Sequence, residues 1–294
     1  MTARTVHTQV QLPPDPAMIL ERSRGVLFAQ WGELVRLRRE VHKKADQEDI
    51  HDLRVASRRF RAALSLCRPF APKGAIIDLK KNIRGVTQAL GALRNVDEAL
   101  AFFRLHDSVD HSLESQLYQT LSELRSKELK RIKKVLVAFK TRALDRQVRE
   151  IVARLNREQI AENNRFSLVA YFSDVSIRLF LPIHRLLAIA AVPGNRSARH
   201  ALRIAIKKWR YFFEIISPIL DRDHTPILDL LKEYQSVLGS MNDIVEFEIL
   251  LNKLKLPTTV RESTSVIFLA EDALLLEKFG ALIEQKPLSY TFLL

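Results

Sequence analysis

Only one cysteine, Cys67, stands in the 294 residues, so the chain can form neither an internal disulfide nor a cysteine-based zinc site. Its apolar helical register marks it as a small core side chain. Glycine is scarce, at 8 residues, and no segment alternates strictly between apolar and polar residues, which leaves sheet without support. No run of 18 apolar residues occurs. The nearest, Leu179 to Val192, is interrupted by Pro182, His184 and Arg185, so no membrane span is expected. Met1 to Leu12 lacks the apolar run of a secretory leader, and a cytoplasmic protein with no membrane partner is the expectation. Also missing are a Gly-rich phosphate loop, a Gly-x-Ser-x-Gly elbow and a His-Glu-x-x-His pair. With no nucleophile and base at workable spacing, no catalytic residue, metal site or cofactor is assigned, and the chain reads as a non-enzyme.

Acidic residues are in deficit as well: 34 Asp plus Glu stand against 47 Lys plus Arg, a formal charge of +13. Such an excess is silent about fold but predicts attraction to polyanions. Leu, Ala, Arg, Lys and Glu are abundant, a composition that favours helix. Asp15 before Pro16 reads as an N-cap followed by proline at the first helical position. A first helix is expected from there to about Lys44, and a second from Asp46 or Asp49 to Arg68. A third should span Ile76 to Leu90, and a fourth begins near Asn95. Leu113, Leu117, Leu121 and Leu124 mark a further helix that runs on to about Lys140. The polar stretch Asn156 to Arg165 is the best boundary. Beyond it helices are expected at Leu168 to Ala191, Ser197 to Ser217, Thr225 to Leu238 and Asp243 to Leu254, then from Val260 onward. The expected organisation is a loose tail (1–14) and two all-α bundles, 15–155 and 166–294.

The second bundle repeats the first. His51-Asp-Leu-Arg54-Val-Ala-Ser-Arg58-Arg59-Phe60-Arg61 aligns with His200-Ala-Leu-Arg203-Ile-Ala-Ile-Lys207-Lys208-Trp209-Arg210 at an offset of 149. Leu90-Gly91-Ala-Leu-Arg94-Asn95 aligns with Leu238-Gly239-Ser-Met-Asn242-Asp243 at an offset of 148. Two matched blocks in the same order at nearly the same spacing indicate duplication.

On a helix of about 100° per residue, His51, Arg54, Arg58 and Arg61 form one narrow stripe, and Leu53, Ala56, Phe60, Leu64 and Cys67 the apolar face beside it. His200, Arg203, Lys207 and Arg210 repeat the stripe; Leu202, Ala205, Trp209 and Phe213 repeat the apolar face. Each stripe holds three permanent cations and a histidine along about 15 Å of helix. Like charges at these spacings cost a few tenths of a kcal/mol per pair in an isolated helix. Neither stripe contains an acid to offset this, whereas a solvated face more often mixes Glu with Lys. An anion along these helices is the reading that removes the conflict. The arginine fork suits phosphate, and histidine adds a donor whose charge a dense polyanion favours. A metal bridging His51 and His200 has little support, because only Asp52, on another face, stands nearby. Asp97, Asp243 and Glu246 read as caps at helix starts, with Gly91 and Gly239 turning the chain before them. Arg94 either pairs with Asp97 or faces the anion.

These paired motifs resemble the conserved histidine α-helical domain, CHAD, over about Asp15 to the C-terminus. The resemblance implies two four-helix bundles about a pseudo-twofold axis, with a basic groove or pore between them. It also implies binding of inorganic polyphosphate, some members lying at polyphosphate granules. Carried over, the ligand set is His51, Arg54, Arg58, Arg61, His200, Arg203, Lys207 and Arg210. Arg84 and Lys232 are additions from the next helix, and Arg36 and Arg185 contributors from each first helix. Asn95 departs from the family's usual Asp. No strand-rich segment supplies the β-barrel of the hydrolase fused to some members. Two rivals stay open: single-stranded nucleic acid, against which Phe60, Trp209, Phe212 and Phe213 sit core-like rather than along a stacking groove, and an acidic protein partner.

Overall fold

The computed structural model describes residues 15–68, 74–105, 111–155, 168–254 and 256–292. Among them the chain forms nine helices and no strand: α1 (Pro16–Lys43), α2 (Gln47–Leu66), α3 (Ala75–Leu105), α4 (His111–Ala138), α5 (Thr141–Arg154), α6 (Leu168–Ala191), α7 (Arg196–Leu220), α8 (Thr225–Asn252) and α9 (Thr258–Gln285). The Asp15 carboxylate accepts from the Ala17 amide at 3.1 Å, with Pro16 at the first helical position as the sequence led one to expect. Asn195 caps α7 in the same way, accepting from the Ala198 amide at 3.2 Å, and Asp221 ends α7 in the left-handed conformation.

Consecutive helices pack on one another, α1 on α2 on α3 on α4 and α6 on α7 on α8 on α9. Apolar stripes drive this packing: Leu53, Phe60 and Leu64 of α2, and Leu202, Trp209 and Phe213 of α7, are fully buried. Seams of α1 and α2 with α7, and of α3 with α8, join the two sets. Across one seam Arg59 Nε donates to Glu214 at 2.7 Å. Both stripe-bearing helices are thereby held in the middle of the molecule with their apolar faces inward.

Two expectations fail. Gly91 and Gly239 do not turn the chain: α3 and α8 run unbroken through them. Each helix buries a continuous apolar face across the glycine, with Leu90, Leu93 and Val96 in α3 and Leu238, Met241 and Ile244 in α8. That burial outweighs the roughly 1 kcal/mol helix penalty of one glycine. Asp97, Asp243 and Glu246 are consequently mid-helix residues, not caps. The second surprise is α5, where no helix was expected. Trp31 Nε1 donates to Asp145 at 2.8 Å, and Val148 and Ile151 are fully buried. The proposed boundary at Asn156 to Arg165 lies outside the described residues.

Candidate anion-binding site

Helices α2, α3, α6, α7 and α8 enclose a cleft of about 1010 Å³. Arg54, Arg58 and Arg61 enter from α2, Lys80, Arg84 and Arg94 from α3, and His200, Arg203, Lys207 and Lys208 from α7. Placing these charges together follows from the helical period: each stripe adjoins an apolar face that must be buried, so burying the face carries the stripe to the edge of the interhelical seam.

Few of these cations find a carboxylate. Arg94 grips Asp243 with both terminal nitrogens, at 2.6 and 2.8 Å, and lies 3.2 Å from Glu98. Arg203 stands 4.0 Å from the same Asp243. Glu246 accepts from Asn95 at 3.0 Å. No hydrogen bond or ion pair to an acid accompanies Arg54, Arg58, Arg61 or Lys207 among the described residues. Arg54 and Arg203 are each only 8% exposed, and the Nε atoms of Arg54, Arg61 and Arg203 are buried without a partner.

The electrostatic consequence is severe, since unpaired cations lose hydration and repel one another. Burial, then the neighbouring Arg58 and Arg94, push Arg54 down to about 9. Lys207 is pushed to about 6, by burial and then by Arg203, Arg58, Arg54 and Arg94. Arg61 is lowered by burial and by Arg84 and Arg58; Lys80 by burial and by Arg61 and Arg68. Burial also lowers Arg203, with Asp243 offsetting part of the effect. Arg94 is the exception: burial opposes its charge, but Asp243 and Glu98 outweigh burial and raise it.

Seven of the twelve residues assigned from sequence therefore share one cleft: Arg54, Arg58, Arg61, Arg84, His200, Arg203 and Lys207. The His200 Nδ1–H donates to the Asn242 Oδ1 at 2.6 Å, which fixes the ring and leaves Nε2 available. Five are not brought to its wall. His51 is exposed. Arg210 lies 3.5 Å from Glu214 and covers the Tyr211 ring at 5.1 Å. Arg36 is paired with Glu33 at 2.7 Å and Lys232 with Asp229 at 2.8 Å, both on the surface, and Arg185 is exposed. Sequence reasoning missed Lys80, Lys208 and Asn242. A signal existed in α3, where Lys80, Arg84, Thr87, Gln88, Gly91, Arg94 and Asn95 recur at helical spacing and all line the cleft.

No helix among the described residues is long and apolar enough to cross a membrane. Nor do those residues gather three or more His, Cys, Asp or Glu side chains in a group that could hold a metal ion.

Comparison with known proteins identifies the family and the fold. The family model described as the CHAD domain matches residues 25–252. The CHAD domain from the plant Ricinus communis is 20% identical, with 90% of each chain covered and a TM-score of 0.64. PptA from Streptomyces chartreusis is 15% identical, covering 90% of this chain and 98% of its own, with a TM-score of 0.67. No curated protein matches in sequence.

Proposed function

The chain belongs to the CHAD domain family, and we propose that its cationic cleft binds inorganic polyphosphate without catalysing a reaction on it. One observation carries this reading: Arg54, Arg58, Arg61 and Lys207 converge on a shared cavity, and among the described residues none of them is paired with a carboxylate. Left empty of anions, such a cluster costs the fold both hydration and mutual repulsion. A chain of phosphates relieves both, offering each guanidinium two acceptor oxygens at once.

The ligand set supported by the geometry is Arg54, Arg58, Arg61, Lys80, Arg84, Arg203, Lys207 and Lys208, with His200 able to donate from Nε2 only as the imidazolium, because Nδ1–H is used by Asn242. Arg94 holds the frame through Asp243. Binding is electrostatic capture followed by many charge-assisted hydrogen bonds, and bound phosphates displace condensed cations. Titration with polyphosphate of defined length at several salt concentrations tests it. At roughly −0.7 per neutralised charge for single-stranded polyanions, the log–log slope should be steeper than about −4, and long chains should bind far better than orthophosphate. A slope near zero, or equal affinity for orthophosphate, overturns the proposal. Single-stranded DNA and RNA in the same assay should compete weakly.

A further inference from the structure

Charge is not distributed evenly along the cleft. On α2 the lining passes from Arg54, Arg58 and Arg61 to Leu66, over about 18 Å of helix. On α7 it passes from Arg203 and Lys207 to Phe212 and Ile215. Opposite the basic helices, α6 contributes Tyr171, Val175 and Leu179 at four-residue steps, with no charge among them. The Leu66 end of the cavity is thus walled by apolar side chains of α6 and α7 on one side and by Lys80 of α3, held by the Ser65 hydroxyl at 2.7 Å, on the other. Leu66 and Ile215 also wall a second, mostly apolar void of about 20 Å³ behind that end. An inorganic phosphate chain gains nothing from such a wall, because its oxygens lose water there without finding donors.

We propose that the cleft also accepts an organic diphosphate bearing an aliphatic chain, its head among Arg54, Arg203 and Lys207 and its chain against Val175, Leu179 and the exposed Ile204. This rests on the anion-binding reading of the same cavity. The chain is aliphatic rather than a nucleobase because the more open apolar side chains of the wall are Val175, Leu179 and Ile204, while the rings are engaged in other contacts. Tyr171 is tied through its hydroxyl to the Leu66 carbonyl at 3.1 Å. The Arg210 guanidinium covers Tyr211. Phe212 is 2% exposed and packed edge-on against Phe213 and Phe292. Branched aliphatic side chains form the open part of the wall, where burying each methylene of a ligand adds to affinity.

Calorimetric titration with geranyl diphosphate below its micellar concentration, alongside pyrophosphate, ADP and long polyphosphate, tests this. Geranyl diphosphate should bind at least tenfold more tightly than pyrophosphate and than ADP. Val175→Asn with Leu179→Asn should remove that advantage while leaving long-polyphosphate affinity within about threefold. Should the double variant lose helical circular dichroism, the half-exposed Ile204→Gln serves instead and should reduce the advantage at least threefold. The aliphatic site is overturned if geranyl diphosphate binds no better than pyrophosphate, if ADP equals it, or if the advantage survives in the folded variants. Long polyphosphate binding normally in those cases leaves the polyphosphate reading standing; its failure to bind would sink that reading first.

Discussion

Lys207 stands at the point where burial and four arginines meet. Its ordinary value of 10.5 falls to about 6 in the folded protein, so the ligand-free site keeps a neutral amine at physiological pH. The unfolded chain holds that proton up to about pH 10.5, and between the two values it binds more protons than the folded one. Stability of the ligand-free protein therefore rises, for this group, as pH climbs from about 6 towards 10.5, and the full cost is present below 6. Polyphosphate reverses the balance by supplying negative charge, which raises the Lys207 value and draws in a proton. Binding should accordingly weaken by up to tenfold per pH unit above about 6, until the ligated value is reached. Calorimetry in buffers of different ionisation enthalpy should register uptake of up to about one proton per protein at pH 7.5, and Lys207→Met should abolish the uptake. The same substitution should stabilise the ligand-free protein by about 1–4 kcal/mol near pH 7.5, since folding no longer has to strip the proton from a half-buried amine; thermal or urea unfolding would report it. A destabilised Lys207→Met would show that the amine is matched by a partner.

Helix α3 brings the unexpected continuity at Gly91 into contact with the site. Gly91 lines the cleft and Gly239 in α8 does not, although the two occupy aligned positions in the sequence. An added Cβ meets nothing within 4 Å at either place, and neither backbone is left-handed. Alanine at either should therefore stabilise its helix by about 0.5–1 kcal/mol, measured by urea denaturation. Larger side chains separate the two positions. Gly91→Leu should fill space over the arginines and weaken polyphosphate binding at least tenfold with helicity retained, whereas Gly239→Leu should leave binding near that of the parent. Equal effects at both would mean that the anion lies elsewhere.

Across the whole molecule, the clasp between the two sets of helices is ionic as well as apolar. Arg94 of α3 and Asp243 of α8 have side chains only 16% and 13% exposed, and their pairing closes one end of the cleft. Arg94→Ala leaves the part-buried Asp243 carboxylate with only Arg203, 4.0 Å away, and should cost about 2–4 kcal/mol of stability. Asp243→Asn works in the opposite sense on the ligand: it removes the acid 4.0 Å from Arg203 and leaves Arg94 with Glu98 alone, so polyphosphate should bind more tightly while the empty protein becomes less stable. Stability and affinity should thus move in opposite directions, which paired unfolding and binding measurements can check. If both fall together, Asp243 supports ligand geometry rather than restraining charge.

Residue order alone determined the helical class, the caps at Asp15 and the two basic stripes, because each depends on spacing within about four residues. Some of the local pairing was equally legible: Glu33 beside Arg36, Asp229 beside Lys232 and Glu214 beside Arg210 all stand at helical spacing and mark those cations as already partnered. Reading Leu-Gly as a turn failed because glycine's weak helix preference yields when leucines on both sides bury one continuous face. Only tertiary packing decided which cations share a cavity. A helical period says which side chains stand together on one helix but not what faces them, so Lys80 of α3, the apolar wall of α6 and the Arg94–Asp243 clasp emerge only when segments up to 149 residues apart come into contact. Those long-range contacts also separate Lys207, half-buried among arginines, from His51, left in solvent on a stripe of nearly identical sequence.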